Sequence, residues 1–202
     1  MDGTATYREG EPWLLVTASS AGATDSLRVA IWRKLRSLGA LYLQQSVCVL
    51  PATARTTRAA TRLVARLRAE GGRGEMLRIQ LTEEAQEAAV IDAIQRERTD
   101  EYHELVDSTQ QFREELEQER RRGRAMYTEL EESDVDLARH QKWLAAIRVR
   151  DYFDAPGGEE AAEAVASCEE ALARFESDAL SAELDESVTD ARPTLRAVDE
   201  AD

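Results

Sequence analysis

The sequence predicts an α+β protein in which a ferredoxin-like βαββαβ domain is followed by an antiparallel helical hairpin or a three-helix bundle. Up to residue 82, short apolar runs that suit strands alternate with helical patterns. From residue 83 to Pro156 there is no proline, and residues that favour helices dominate. We therefore expect a flexible N-terminus over 1–12, the ferredoxin-like domain over 13–82, the helical bundle over 83–180 and an acidic flexible tail over 181–202.

The first strand and the first helix are predicted from one continuous stretch. The apolar run at residues 13–17 is typical of a buried strand. Thr24 or Asp25 can cap the helix that follows, because a side-chain oxygen accepts a hydrogen bond from the free backbone N–H groups of the first turn. Apolar residues at helical spacing face inward along this helix, and Gly39 is expected to end it in the left-handed conformation.

The rest of the first half predicts a hairpin, a helix and a strand. Residues 41–43 and 47–50 suit a pleated surface and flank a short turn, and Pro51 ends the second of these strands. A helix is expected over 53–70 and a turn over 71–74. The alternating pattern of residues 76–81 predicts the last strand, and the resulting order is that of the split βαβ arrangement.

The second half predicts long amphipathic helices. Gly123 is a natural break, and Thr128 with Glu131 forms a capping box for the next helix. A turn at residues 154–158 precedes a third helix. A heptad-like seam is formed by Leu130, Leu137, Leu144 and Ile147. Because one small sheet offers little surface to cover this seam, we expect the chain to form a homodimer.

Charge is distributed unevenly along a chain whose formal net charge is -14. Residues 1–82 hold 12 Arg or Lys against 6 Asp or Glu, whereas residues 83–202 hold 14 against 34. The first half could attract a polyanion such as DNA, and the second half would repel it. The alternative is that opposite charges keep both halves soluble and help them to dock.

The two predicted helices of the first half carry the candidate nucleic-acid-binding residues. In the ferredoxin-like arrangement both helices cover the same side of the sheet, so their cations can share one face. Positions 58, 62 and 66 are four residues apart and form one row. Such a row would contact phosphates without reading a base sequence. The candidates are Arg28, Arg33, Lys34, Arg36, Arg58, Arg62 and Arg66.

A weaker prediction concerns a metal site. Asp100 with His103, and Asp136 with His140, each place an acid and a histidine on one helix face, where both can bind a divalent ion. Acids are so frequent in this half that such pairs also arise by chance, and solvated surface histidines are the simpler interpretation. No P-loop, glycine-rich phosphate loop or Ser-His-Asp order is present, so the sequence favours a protein without catalysis, does not exclude an enzyme and leaves any cofactor unknown.

The remaining features favour a cytoplasmic protein. The first residues lack the basic and apolar regions of a signal peptide, and no apolar run reaches the length of a membrane span. Cys48 and Cys168 are far apart and outside any C-x-x-C spacing, so we expect unpaired thiols that are buried or half-buried, with a reactive thiol as the alternative.

Several segments of this sequence resemble the N-terminal domain of ChrB, the chromate-resistance regulator family. They are the run Trp-Leu-Leu-Val at 13–16, the helix at 27–39, the hairpin at 39–51, Glu-Leu-Glu-Glu at 129–132, Asp-Leu at 136–137 and the segment 143–153. The resemblance covers most of residues 13–180 and implies chromate-responsive regulation through binding of DNA or a regulatory partner. Two other classes stay open: a small enzyme or metal-binding protein with a site between the sheet and the acidic helices, and a structural dimer or adaptor.

Overall fold

The computed structural model of the protein describes residues 10–19, 24–122 and 127–190, with side chains except at 127–129 and 182–190. Over these residues the fold is α+β, with one four-stranded antiparallel sheet and five helices, which confirms the α+β part of the prediction. The elements in chain order are β1 (Trp13–Ser19), α1 (Asp25–Ser37), β2 (Leu41–Gln44), β3 (Val47–Pro51), α2 (Ala54–Ala69), β4 (Arg73–Ile79), α3 (Glu84–Arg122), α4 (Tyr127–Arg148) and α5 (Gly158–Asp190).

The chain divides into two compact units. The sheet unit comprises Met1–Val106 with Lys142–Ala162, and the helical unit comprises Asp107–Gln141 with Glu163–Asp202. The boundary expected after residue 82 does not coincide with this division, because the first part of α3 belongs to the sheet unit. The physical reason is burial, since Ile94 of α3 packs in one cluster with Trp13 and Val49 of the sheet.

The sheet has the strand order β2-β3-β1-β4, and each neighbouring pair is antiparallel. Leu15 of β1 lies opposite Val49 of β3 and Leu77 of β4. Because strand side chains alternate between faces, Leu14 and Val16 point to the face that α1 and α2 cover. Both faces of the sheet therefore carry apolar residues.

The ends of α1 and α2 follow from local chemistry. Thr24 and Thr53 are the N-caps, and their hydroxyl groups accept hydrogen bonds from the backbone N–H groups of Leu27 and Thr56. After α1 the backbone of Gly39 takes a φ of +78°, as its predicted role requires. Any larger residue would also meet the Arg150 side chain and backbone 3.1 Å from its Cβ.

The last strand begins earlier than predicted. The turn expected over 71–74 is shorter, because β4 already starts at Arg73. Gly74 lies inside this strand, where a Cβ would come within 2.9 Å of both a Leu67 methyl group and the Thr17 carbonyl oxygen. In the sequence, a glycine that allows α2 to lie close to the sheet cannot be distinguished from a turn glycine. The predicted turn therefore extended too far, and the strand was predicted to start too late.

Three helices share the core of the helical unit. The buried side chains of this cluster come from α3, α4 and α5, and the half-buried Leu130 packs against them. The buried members are Phe112, Leu116, Leu137, Cys168, Leu172 and Phe175. The seam expected to need a second copy is buried within the chain at Leu137, Leu144 and Ile147. That argument for a homodimer is therefore wrong, because neighbouring segments of the same chain cover these residues.

Some expected boundaries fall at the limits of the described residues. The helix α5 continues to Asp190, so the first ten residues of the expected tail are helical. Residues 191–202, residues 1–9 and the predicted break at Gly123 lie outside the described residues. The same is true of the Thr128 side chain in the predicted capping box.

A buried tyrosine connects three segments of the sheet unit. The Tyr152 hydroxyl group donates a hydrogen bond of 2.7 Å to the carbonyl oxygen of Leu38, directly after α1. It accepts one of 2.7 Å from Nη2 of Arg55, which also donates to the carbonyl oxygen of Val149. Burial raises the pKa of Tyr152, so the hydroxyl group keeps its proton at neutral pH. This network holds the segment after α4 against the ends of α1 and α2.

We predict that Tyr152→Phe lowers the free energy of unfolding by about 1–3 kcal/mol, because it leaves a buried carbonyl oxygen without its donor. Urea unfolding followed by circular dichroism measures the difference. Tyr42→Phe is the matched control, since the Tyr42 hydroxyl group makes no hydrogen bond within the described part of the chain. Equal decreases in the two variants would show that the Tyr152 network contributes nothing specific.

Candidate nucleic-acid interface

The helix layer of the sheet unit is strongly basic. Together α1 and α2 hold nine Arg or Lys side chains and a single acid, Asp25. All seven of the predicted phosphate-binding residues lie on these two helices and are exposed. The prediction that α1 and α2 lie over the same face of the sheet agrees with the core cluster, which contains residues of both helices.

Along α1 the exposed cations flank a tryptophan. Arg28, Trp32 and Arg36 recur every four residues and form one row beside the buried residues of the helix. The guanidinium group of Arg36 lies 4.8 Å from the centroid of the Trp32 ring, within cation–π range. Arg28 forms an exposed ion pair of 3.4 Å with Asp25. Arg33 and Lys34 occupy other sides of the same helix.

Along α2 a second row is formed by Arg58, Arg62 and Arg66, as the four-residue spacing predicts. Arg66 pairs at 2.7 Å with Glu70, the residue that caps the C-terminal end of α2. Arg58 and Arg62 form no ion pair within the described part of the chain. Because these side chains are solvated and uncompensated by local acids, they add positive potential at the surface.

Two basic residues of α2 have structural partners. The guanidinium group of Arg68 donates to the carbonyl oxygen of Gly74 and pairs with Glu75 at 2.6 Å. Arg55 is held by Tyr152 and Val149. In the sequence these two residues look like the phosphate-binding candidates, because they belong to the same arginine-rich helix. Only their partners in the fold distinguish them from those candidates.

A cavity of about 620 Å³ opens beside the α1 row. Arg28 and Trp32 line it from the helix, and Tyr42 lines it from β2. Burial raises the pKa of Tyr42 to about 12, with a smaller contribution from Cys48, so the phenol is neutral at physiological pH. Burial alone raises the pKa of the Cys48 thiol to about 12, which makes this cysteine a poor nucleophile.

Trp32 and Tyr42 are the site residues that sequence reasoning missed. A tryptophan halfway between two arginines at four-residue spacing was the available signal for the first. For Tyr42 no signal exists in the sequence, because a tyrosine in a predicted edge strand is equally suited to packing. Its place at the cavity results from the pairing of β2 with β3.

The four predicted metal-binding residues fall into different units. Asp100 and His103 lie on the α3 segment of the sheet unit and are exposed. Asp136 and His140 lie on the α4 segment of the helical unit. In the part of the chain that the structure describes, no group of three or more His, Cys, Asp or Glu side chains is arranged to hold a metal ion. The metal site therefore stays a prediction from sequence.

His140 is not the surface residue that the simpler interpretation expected. It is only 1% exposed, and its Nε2 atom lies 2.8 Å from the Ser108 hydroxyl oxygen. The rings of His140 and Phe112 pack edge to face, with their centroids 5.7 Å apart. Burial lowers the pKa of His140, Arg139 lowers it further, and Asp136 opposes the shift. The neutral imidazole is therefore a packed component of the helical unit.

A cluster of charged residues in the sheet unit surrounds one buried arginine. Arg98 is 3% exposed and pairs with Glu97 at 3.1 Å and with Glu101 at 3.2 Å. Glu101 also pairs with Arg150 at 2.7 Å. Burial lowers the pKa of Arg98 and the neighbouring carboxylate of Glu101 raises it. The Glu101–Arg150 ion pair connects α3 with the segment after α4.

In a comparison with protein-family models, the model described as Protein ChrB, N-terminal, matches residues 28–186. The chain belongs to this ChrB N-terminal family. The match confirms the resemblance and relates the protein to chromate resistance. No curated protein and no solved structure gives a significant match to the chain. In this ChrB-family chain, no helix within the described ranges is both long and apolar enough to cross a membrane.

We predict that this ChrB-family protein loses stability as the pH falls below about 6.5, the pKa of an unperturbed histidine. The folded state lowers the pKa of His140, so the unfolded state binds the proton first. The stabilisation by neutral His140 is present above the unfolded pKa and is lost as the pH falls through it toward the folded pKa.

Urea unfolding at pH 7.5 and at pH 5.5 measures this decrease in stability. His140→Gln should make the decrease smaller, because it removes the titrating group and keeps a partner for Ser108. His103→Gln is the matched control on an exposed histidine and should retain the parent profile. An unchanged decrease in His140→Gln would exclude this residue as the cause.

Proposed function

We propose that this ChrB-family chain acts in the regulation of chromate resistance by binding nucleic acid through the basic helix layer of its sheet unit. The observation that carries the proposal is the charge of α1 and α2, with nine exposed or half-exposed cations and one acid. Nucleic-acid affinity is dominated by contacts to phosphates, and arginine donates to phosphate oxygens in a suitable fork geometry. We also propose a cytoplasmic location, which two buried free thiols support.

We further propose that the sheet unit has the ferredoxin-like arrangement. Its support is the chain order β1-α1-β2-β3-α2-β4 together with the strand order β2-β3-β1-β4. In this arrangement one face of the sheet carries both helices, so the cations of α1 and α2 project from a single layer. A layer of this kind offers a duplex or a strand several phosphate contacts at once.

The charge of the remaining chain restricts where a polyanion can bind. Residues 83–202 hold 34 Asp or Glu against 14 Arg or Lys. These residues repel phosphates, and the local ion pairs of the basic layer, with Asp25, Glu70 and Glu75, use few of its cations. Binding through phosphates alone reads no base sequence, so regulation would also require base contacts or a partner.

Replacing Arg58, Arg62 and Arg66 together with alanine should weaken DNA binding by a similar factor for different sequences. The slope of the logarithm of the binding constant against the logarithm of the salt concentration should fall by about 0.9 for each duplex phosphate that the variant no longer neutralises. Fluorescence anisotropy with a labelled duplex at several salt concentrations measures both quantities.

A charge-matched control removes three arginines from the last turn of α3, namely Arg120, Arg121 and Arg122. This control should keep the parent slope, because these residues belong to the helical unit. If the α2 triple variant retains the parent affinity and slope, the α2 row does not contact DNA, and binding of a protein partner becomes the better account.

A second proposal is that two copies of the chain associate. Its support is the outer strands of the sheet, where Leu43 of β2 is 50% exposed and Leu77 of β4 is 51% exposed. Exposed aliphatic residues on edge strands favour contact with another chain. Multi-angle light scattering at micromolar concentration should give the mass of a dimer, and Leu77→Lys or Leu43→Lys should shift it toward the monomer. A parent mass equal to the monomer would refute the homodimer.

A further inference from the structure

The cavity beside α1 combines three features that recognise one kind of ligand. It has room for a planar ring system, with a volume of about 620 Å³. An aromatic side chain, Trp32, lines it and is 44% exposed, although large aromatic residues are normally buried. Cations stand on either side of that ring along the helix, at Arg28 and Arg36.

Resting on the proposed function, we propose that this cavity takes an unpaired nucleotide of a nucleic-acid strand. The base stacks on Trp32, and the flanking phosphates lie against Arg28 and Arg36. Base stacking on an aromatic side chain tolerates any base, since every base has a π-face. The proposal makes the basic layer a site for single-stranded or locally unpaired nucleic acid rather than for a fully paired duplex.

The chemistry of the cavity fits this ligand in charge and in polarity. Its deeper lining is apolar, with Ile31, Leu35 and Cys48, and suits the flat surface of a base. Its polar lining includes Gln45 and Ser46 of the β2–β3 turn, which can exchange hydrogen bonds with a base edge. No acid lines the cavity among the described residues, and the nearby Asp25 carboxylate is paired with Arg28 at 3.4 Å.

The cation–π contact prepares Trp32 for this role. Arg36 lies over the ring at 4.8 Å, which holds the indole and places a guanidinium group beside it. An arginine next to a stacked base can contact the phosphate that follows. Trp32 is 44% exposed and is not among the buried core residues of the described part of the chain, so replacing it should leave the folded state intact.

The test compares a labelled single strand with a duplex of the same sequence, by fluorescence anisotropy on the full chain. The parent should bind the single strand more tightly than the duplex. Trp32→Ala should lower the affinity for the single strand by about tenfold and that for the duplex by less than about twofold. Trp32→Phe retains a stacking ring, and its affinity for either ligand should fall by less than about threefold.

Arg62→Ala is the matched control, since Arg62 is exposed on α2 and does not line the cavity. It should lower both affinities by a similar factor. An unchanged preference for the single strand in Trp32→Ala would overturn the assignment of the cavity, while salt-dependent binding through α2 would still support the proposed function. Failure of the parent to bind either nucleic acid would overturn both.

A nucleotide within a strand and a free mononucleotide would present the same base and phosphate to the cavity. Binding of adenosine monophosphate tests which of the two is the ligand. The parent and Trp32→Phe both contain Trp13 and Trp143, so quenching seen only in the parent reports on Trp32. Quenching by the mononucleotide should require concentrations far above those of the strand. Saturation at the concentration that the strand requires would overturn the strand as the ligand and assign the cavity to a free nucleotide.

Discussion

The sheet of this protein is apolar on both faces, and the rest of the sheet unit depends on covering them. On one face Leu14, Val16 and Leu50 are buried under α1 and α2. On the other face Trp13 and Val49 are buried with Ile94 and Tyr152. Each large apolar side chain that becomes fully buried contributes about 1.5–3 kcal/mol to folding. Covering the second face therefore brings residues from far along the chain into the unit that contains the sheet.

This constraint leaves the outward faces of α1 and α2 free for function. Their inward faces are used by the sheet, with rows such as Leu27, Ile31 and Leu35. Their outward faces carry arginines whose ion pairs are few and local. Arg58 and Arg62 form no ion pair within the described part of the chain, and a surface ion pair such as Arg28–Asp25 contributes little to stability, so folding does not depend on these side chains. The basic layer is thus built on a rigid core and can change its ligand contacts without disturbing that core.

Two buried polar groups show how specific partners fix the packing inside the two units. The Tyr152 hydroxyl group serves both Leu38 and Arg55, and the imidazole of His140 lies against the hydroxyl group of Ser108. A buried polar group without a partner costs more than a paired one contributes, so each pairing restricts how its segments can pack. The aromatic residues at the cavity are different, because Trp32 remains half in solvent.

Local patterns in the sequence determined the helices, the strands and the exposed basic rows. Thr24, Thr53 and Gly39 mark helix ends through chemistry that acts over three or four residues, and the spacing of Arg58, Arg62 and Arg66 alone places them in a row. Family membership was also readable, because the resemblance depends on the order of such local segments.

Only the tertiary structure decided which distant residues meet. Gly74 was read as part of a turn, although it lies in a strand beside Leu67. The seam at Leu137, Leu144 and Ile147 was assigned to a second copy, although the chain covers it itself. His140 was read as a surface residue, and Arg55 could not be told from its basic neighbours. In each case the sequence pattern shows which side chains need a packing or hydrogen-bonding partner. That partner lies many residues away, and only the fold brings the two together.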